Sequence, residues 1–319
     1  MMKKWEIDVA VLCIFFARPE QFKRSFEAVK KAKPRVLLLW QDGPRAGRAD
    51  DVENIKKCRE IAEDIDWECE VHRNYHDTNM GCDPSTFYSH KWAFSIVDKC
   101  IILEDDIVPS QSFFPFCKEL LDKYENDTRI DRICGQVLLK ENKCEGDYFF
   151  MRAGSSWGWA TWKRVADTWE SEYDFLKNEN AISLIKAQYP KDADARYLEQ
   201  TCRLAATGVA HWERIVSYSM ILNSRLVIYP SKNLIKCIGI SENATHAPAN
   251  EQMLPAYVRE RFNMATNEYD FPLCAPKYVI ADLDYEKRVT EHFYPSSKVI
   301  RFKRRLEGLA LRIKVKMKR

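Results

Sequence analysis

The stretch CIILEDDIVP, residues 100–109, decides the fold class of this chain. It opens with a short apolar run that is typical of a buried strand, and three consecutive carboxylates, Glu104, Asp105 and Asp106, follow at once. Adjacent carboxylates repel one another, so a fold retains them mainly where a divalent cation or the hydroxyl groups of a ligand offset their charge. In an open α/β sheet, ligands bind at the carboxyl ends of the strands. An acidic turn that merely follows a strand is the alternative interpretation.

Upstream of this stretch, strand and helix signals alternate three times. The apolar runs predict strands over residues 9–16, 35–40 and 68–74, and helical spacing predicts helices over 21–31, 52–65 and 85–97. This alternation predicts an α/β fold, a mostly parallel sheet flanked by helices on both faces. The residues that follow successive strands would then meet at one edge of the sheet: Arg18, Asp42, Asn79 and the acids at 104–106.

Downstream of residue 109 the pattern changes. After a helix predicted over 113–124 come short strands, predicted over 132–139 and 148–151, and the aromatic stretch GSSWGWATW at residues 154–162. Within that stretch we expect Trp157 to face a pocket and Trp162 to be a core residue at the start of a helix. Neither a repeat nor a linker separates the halves, so we predict one domain over 1–298, with halves of about 1–135 and 136–298.

The composition excludes several classes of protein. Fifty Lys and Arg residues against 47 Asp and Glu residues give a net charge of +3, which argues against a nucleic-acid partner. The 11 cysteines contain no CxxC pair, which favours free thiols in a reducing compartment. Because we find no apolar run as long as a signal peptide or a membrane span, we expect a cytoplasmic protein.

The segment 299–319 is predicted to be a basic amphipathic helix or tail. Nine Lys and Arg residues and a single acid lie between positions 301 and 319, and helical spacing places Phe302, Leu306, Leu309 and Ile313 on one side. This pattern is typical of helices that lie on a membrane surface, and it predicts peripheral binding to the anionic inner face of the plasma membrane. A solvated tail, or a helix docked on the protein by its apolar side, are the alternatives.

In this order, the motifs resemble those of the GT-A fold nucleotide-sugar glycosyltransferases, in particular the N-acetylglucosaminyltransferase I group and the bacterial sugar transferases of surface polysaccharide synthesis. The similarity spans roughly residues 8–247, and it lies in the order of short motifs rather than in any one of them. It implies a GT-A fold with a nucleotide-binding half (1–135) and an acceptor half (136–298). It also implies a UDP-sugar donor, a glycan or lipid-linked acceptor and inversion at the transferred carbon.

The resemblance assigns the donor-binding residues position by position. Arg18 after the first strand matches an arginine that contacts the nucleotide or its diphosphate, and Glu104 and Asp105 match acids that face the ribose. Asp42 in the QDG motif of residues 41–43 would accept a hydrogen bond from the N–H group of uracil, which cytosine lacks. Asn79 would lie at the same edge. Trp157, in the WGW motif, matches a loop that frames the sugar and the acceptor.

The resemblance also implies a metal ion and a catalytic base. Mn²⁺ or Mg²⁺ would offset the charge of the departing diphosphate, with Asp106 as its first-choice ligand. His246, in the sequence ATH, could complete the coordination and would favour Mn²⁺, although a surface-loop histidine is the alternative. Glu213 follows a tryptophan where the family carries a Trp-Asp pair, and it is the candidate general base. Asp192 and Asp194 are the second choices.

Two other functions remain open at this point. A sugar-1-phosphate nucleotidyltransferase shares the architecture, but it needs a glycine-rich loop after the first strand, where this chain reads FARP at 16–19. A catalytically silent module that binds a nucleotide sugar or a glycan would need the same acids.

Overall fold

The computed structural model describes residue 4 and residues 6–140, 142–188, 193–208, 210–240 and 251–317. In the described part of the chain the strands, numbered in chain order, are β1 Ile7–Phe15, β2 Pro34–Gln41, β3 Glu70–Tyr75, β4 Lys99–Glu104, β5 Ile107–Pro109, β6 Ile130–Cys134, β7 Tyr148–Met151, β8 Trp159–Trp162, β9 Leu226–Pro230 and β10 Ile235–Cys237. The α-helices are α1 Pro19–Ala32, α2 Ala49–Ala62, α3 Cys82–Ile96, α4 Phe113–Lys123, α5 Lys163–Ala166, α6 Glu179–Gln188, α7 Ala193–Ala206, α8 Trp212–Leu222, α9 Ala256–Phe262, α10 Leu283–Phe293 and α11 Lys298–Met317.

Eight strands form one sheet in the order β3-β2-β1-β4-β8-β6-β9-β7. The first four strands are parallel, β8 runs antiparallel to both β4 and β6, β6 and β9 are parallel, and β7 closes the sheet in the antiparallel sense. The predicted α/β class, a mostly parallel sheet flanked by helices, is confirmed. A single continuous sheet passes through both predicted halves of the chain.

In the first half, the predicted elements agree with the structure to within a few residues. Strand β1 pairs with β2 on one side and β4 on the other, so that Val11 lies opposite both Leu37 and Ile101. All three side chains are fully buried. Central parallel strands covered by helices on both faces are apolar throughout, which is why their runs of hydrophobic residues were legible.

The second half differs from the prediction at one strand. The strand predicted over 132–139 covers only residues 130–134, and the next residue, Gly135, lies so close to the side chains of Phe113 and Ile235 that a β-carbon would overlap them. Trp162 ends β8 and is the N-cap of the single-turn helix α5, so it stands at the start of a helix as predicted. Its side chain is buried, as expected for a core residue.

A small second sheet anchors the acidic stretch. Strand β5, which starts directly after Asp106, pairs antiparallel with β10, so that Ile107 lies opposite Cys237. The peptide N–H of Ile238 then donates to the carbonyl oxygen of Asp106 at 2.8 Å. The chain near residue 239 is therefore fixed against the end of β4.

Helix α11 contacts the rest of the protein through polar side chains. The Arg304 guanidinium lies 3.9 Å from the centre of the Tyr257 ring, and the Glu307 carboxylate accepts a hydrogen bond from the peptide N–H of Ala256 at 2.8 Å. The apolar side faces outward, with exposed fractions of 61% for Phe302, 49% for Leu306, 48% for Leu309 and 58% for Ile313. Docking by the apolar side is therefore excluded. Among the described residues we find no helix that is both long and apolar enough to cross a bilayer.

Candidate functional site

A cleft of about 270 Å³ lies at the carboxyl ends of β1, β2 and β4. Strands β2 and β4 lie on opposite sides of β1, so the cleft occupies the point where the strand order of the sheet reverses, which is the usual ligand position in open α/β sheets. Five of the residues singled out from the sequence line it: Arg18, Asp42, Asn79, Glu104 and Asp105. The structure therefore brings together the strand-end residues that the sequence predicts to meet.

Arg18 holds two of the three consecutive carboxylates. Its Nη2 and Nε groups donate to the two oxygens of Asp105, the latter at 3.3 Å, and its Nη1 group donates to Asp106 Oδ2 at 3.0 Å. Burial alone would lower the pKa of Arg18, but the charges of Asp105 and Asp106 outweigh it and raise that pKa. Every guanidinium nitrogen of Arg18 thus has a carboxylate partner. Its contact with a nucleotide or diphosphate stays a prediction.

Glu104 is the least compensated member of the acidic stretch. Its side chain is half-buried and lines the cleft, and no hydrogen-bond donor reaches its carboxylate among the residues that the structure describes. Burial, followed by the negative charges of Asp106, Glu213 and Asp105, raises the pKa of Glu104 well above its usual 4.5, although Arg18 opposes this. A cation or a ligand's hydroxyl groups would relieve this unfavourable charge.

The carboxylate of Asp106 lies against the backbone of Gly239. A β-carbon at position 239 would overlap Asp106 Oδ2, so the close approach requires a glycine. Burial raises the pKa of Asp106, and Arg18 opposes the shift. Burial and neighbouring negative charges raise the pKa of Glu104 in the same way. Two carboxylates in such a position would be stabilised by a divalent cation.

Asp42 joins the loop after β2 to the loop after β3. Its buried carboxylate accepts hydrogen bonds from the peptide N–H groups of Gly43 and Met80 at 2.9 Å each, from Gly81 at 3.2 Å and from Asn79 Nδ2 at 3.0 Å. Burial raises the pKa of Asp42, although these hydrogen bonds oppose it. The donors hold Asp42 and Asn79 at the cleft. Recognition of uracil by Asp42 stays a prediction.

Glu213 lies in the first turn of α8 and is exposed. Its Oε1 atom accepts a hydrogen bond from Ser156 Oγ at 2.6 Å, which fixes the carboxylate on the glycine-rich aromatic loop. The preceding residue, Trp212, is buried in the core and orients the start of the helix. The negative charge of Glu213 contributes to the raised pKa of Glu104.

Trp157 is not among the described residues that line the cleft. The Arg261 guanidinium lies 4.0 Å from the centre of the Trp157 ring, and the Phe262 ring lies 4.7 Å away. Within the described part of the chain, Arg261 donates to neutral oxygens, at 2.9 and 2.7 Å to Gln136 Oε1 and at 3.2 Å to Ser155 Oγ. Sequence reasoning missed Arg261, because it lies beyond the span of the resemblance in a helix without a motif.

Arg45 lines the cleft, and sequence reasoning missed it as well. Its guanidinium lies 5.5 Å from the centre of the Phe16 ring and forms two hydrogen bonds of 2.7 Å with the buried carboxylate of Asp51. Side-chain hydrogen bonding to Arg45 lowers the pKa of Asp51. The sequence did contain a signal for Arg45, because this arginine directly follows the glycine-proline turn at 43–44, close to the end of a predicted strand.

The proposed metal ligands are only partly described. His246 lies outside the described residues, as does Asp192, and of Asp194 only the backbone is described. In the parts of the chain that are described, no group of three or more His, Cys, Asp or Glu side chains could hold a metal ion. Mg²⁺ and Mn²⁺ in phosphate-transfer sites are commonly held by one or two carboxylates, with phosphate oxygens and water completing the coordination. Asp106 beside Glu104 fits that limited donor set.

Comparisons with known proteins give likenesses of structure alone. No protein-family model and no curated protein matches the chain. Among solved structures, a mannosyltransferase from Pyrobaculum calidifontis in complex with GDP-Man and Mn²⁺ is 10% identical, with a TM-score of 0.34 over 51% of this chain and 48% of its own, so the chain spans about half of its length.

Two nucleotidyltransferases also match. The inositol-1-phosphate CTP transferase from T. maritima is 11% identical, with a TM-score of 0.38 over 81% of this chain and 96% of its own. The 4-diphosphocytidyl-2C-methyl-D-erythritol synthase from Anaerococcus prevotii DSM 20548 is 10% identical, with a TM-score of 0.32 over 68% of this chain and 97% of its own.

Proposed function

We propose that this chain is a metal-dependent, inverting glycosyltransferase of the GT-A class. It would move a sugar from a UDP-sugar to a hydroxyl group of a glycan or lipid-linked acceptor in bacterial surface polysaccharide synthesis. The observation that carries the proposal is the Glu104 carboxylate, which lies half-buried beside Asp105 and Asp106, lines a ligand-sized cleft and has no donor among the described residues. A purely structural turn would pair such a group or expose it, because a desolvated carboxylate without a partner is costly.

The donor would bind across the strand ends. Ribose hydroxyl groups would donate to Glu104, while Arg18 keeps Asp105 and Asp106 in place. Asp42 and Asn79, which are already bonded to each other, would face the base. Trp157, whose ring is stacked on the Arg261 guanidinium, would frame the sugar end of the donor.

Asp106, together with His246, would hold Mn²⁺ or Mg²⁺. When bound, the cation supplies Lewis-acid stabilisation of the diphosphate as the C1–O bond breaks. The protein contributes the position of the ligand: Arg18 and the backbone at Gly239 confine the Asp106 carboxylate from two sides.

Glu213 would act as the general base. In an inverting transfer the acceptor oxygen attacks C1 on the side opposite the diphosphate, and a carboxylate near that oxygen takes its proton. The hydrogen bond from Ser156 would orient the Glu213 carboxylate for this role. We also propose one catalytic domain over 1–298, followed by the basic helix from 299.

We also propose that α11 holds the protein on the cytoplasmic face of the membrane. Lys303 and Arg305 flank the exposed apolar side, as expected for a helix that inserts its hydrophobic residues between anionic headgroups. Vesicles of phosphatidylglycerol and phosphatidylcholine should bind the full chain. The Phe302→Ser/Leu306→Ser variant should bind the same vesicles at least tenfold more weakly. Equal retention of both proteins would contradict membrane binding by this side.

A thermal-shift panel of UDP, GDP and CDP sugars, with and without Mn²⁺, tests the function. Because a ligand that binds only the folded state raises the melting temperature, a UDP-sugar with Mn²⁺ should give the largest increase. UDP release with candidate acceptors then separates turnover from mere binding. Metal-dependent stabilisation by a UDP-sugar without turnover on any acceptor would favour a binding module, and consumption of a nucleoside triphosphate with a sugar phosphate would favour a nucleotidyltransferase.

A further inference from the structure

A second cavity of about 250 Å³ lies beside α9 and α10, outside the donor cleft. Apolar side chains form part of its wall: Leu138, Leu139 and Met264. The remainder is formed by Lys140, Tyr257, Glu260, Arg261, Arg288 and His292. The cavity therefore combines a hydrophobic surface with a cluster of charged groups.

The charges in this cavity favour an anion. Lys140, Arg261 and Arg288 contribute three basic side chains, whereas Glu260 is the single carboxylate in the lining. Arg288 forms an ion pair of 3.2 Å with Asp284 on its own helix, whereas the partners of Arg261 among the described residues are neutral oxygens and an aromatic ring. Guanidinium groups in a recess of this kind are typical of phosphate recognition, because they donate in a fixed fork.

The cavity lies between the loop that holds Glu213 and helix α11. On one side, Arg261 stacks on Trp157, the residue that follows Ser156, whose hydroxyl group holds Glu213. On the other side, Arg304 of α11 contacts the Tyr257 ring and donates to the carbonyl oxygen of His292 at 2.6 Å. A ligand in this cavity would therefore lie between the candidate base and the helix with the exposed apolar side.

We propose that this cavity binds the phosphate group of a lipid phosphate to which the acceptor sugar is attached. The proposal rests on the glycosyltransferase function, and it narrows the acceptor to an anionic amphiphile. Lys140, Arg261 and Arg288 receive the phosphate, the apolar wall receives the first carbons of the lipid chain, and the remaining lipid continues towards the membrane surface at α11. The sugar then extends past Trp157 towards Glu213.

Calorimetric titration of the full chain with geranyl phosphate, geraniol and inorganic phosphate tests this assignment without any turnover. Wild-type protein, titrated with and without saturating UDP and Mn²⁺, is expected to bind geranyl phosphate at least tenfold more tightly than either of the other compounds. Lys140→Gln/Arg288→Gln should weaken that binding at least tenfold, because charge-assisted hydrogen bonds are lost. Lys287→Gln, on the exposed side of the same helix, is the matched control and should bind as the wild type does.

Unchanged affinity in the double variant would overturn the proposal, since the anion would then bind elsewhere. Equal affinity for inorganic phosphate and geranyl phosphate would overturn the assignment to a lipid. If the double variant unfolds, Lys140→Gln alone replaces it, because Lys140 is exposed and its loss removes one cation from the cavity. UDP binding is measured separately by thermal shift, so a failure there counts against the glycosyltransferase function and not against this cavity.

Discussion

The acidic stretch at the end of β4 and the cavity beside α10 have opposite charge patterns. The first places three carboxylates around one guanidinium, and the second places three cations around one carboxylate. They also differ in construction: the acids are contiguous in the sequence, whereas the cations come from the loop after β6, from α9 and from α10. The contrast fits the two proposals, a cation at the acidic stretch and an anion in the cavity.

The largest effect should come from removing the charge at the cation side. We expect Asp106→Asn to lower UDP release about a thousandfold, because metal stabilisation of a leaving diphosphate is worth several kcal/mol. The variant should also lose the Mn²⁺-dependent part of the thermal shift. Asp8→Asn, at the opposite end of β1, is the control and should change neither quantity. Wild-type turnover in Asp106→Asn would contradict the assignment of the acidic stretch as the cation site.

Glu213 lies between the two regions, and its substitution should have the next largest effect. Glu213→Gln keeps the size of the side chain but cannot take a proton, so kcat should fall about a hundredfold, within the usual range for a general base. The KM for the donor should change little. Glu199→Gln, in a surface ion pair with Arg203, is the matched control. A kcat within a factor of three of the wild-type value would assign the base to another residue.

Gly239→Ala, which adds one methyl group beside Asp106, should have a smaller effect on the Mn²⁺ dependence of activity. In Gly239→Ala the added carbon would displace the Asp106 carboxylate, so the Mn²⁺ concentration for half-maximal activity should rise about tenfold. Displacing the Asp106 carboxylate would weaken its hydrogen bond from Arg18, and the loss of one such bond is large enough for a tenfold change in the Mn²⁺ requirement. Gly308→Ala in α11, where a β-carbon meets no neighbour, should leave the Mn²⁺ dependence unaltered. An unchanged Mn²⁺ dependence in Gly239→Ala would contradict a role for Asp106 as a ligand.

The smallest effect concerns pH and the stability of the metal-free protein. Folding raises the pKa of Glu104, so above its usual value of 4.5 the folded state binds more protons than the unfolded state. The free energy of unfolding should therefore fall as pH rises from about 4.5 through the raised pKa of the folded protein, by about 1.4 kcal/mol for each pKa unit of difference. Urea unfolding of Glu104→Gln should show a flatter pH profile, whereas an identical profile would rule out Glu104 as the cause.

Sequence patterns predict the first half of the fold because each strand there is a continuous apolar run followed by polar residues. They predict the meeting of Arg18, Asp42 and Asn79 for the same reason. They do not predict β8, since WATW enters the sheet between β4 and β6 by long-range antiparallel pairing. Arg261 escaped as well, because its importance comes from packing on Trp157 and not from any local pattern.

The pairing of β5 with β10 has a consequence for the way the protein can be divided. Residues 107–109 follow the acids directly, and their antiparallel partner lies at 235–237 in the other half of the chain. An excised fragment of residues 1–135 would contain every acid of the cleft, yet it would lack the strand that keeps Asp106 in position. A first half transferred into another protein would therefore need the distant strand at 235–237 as well.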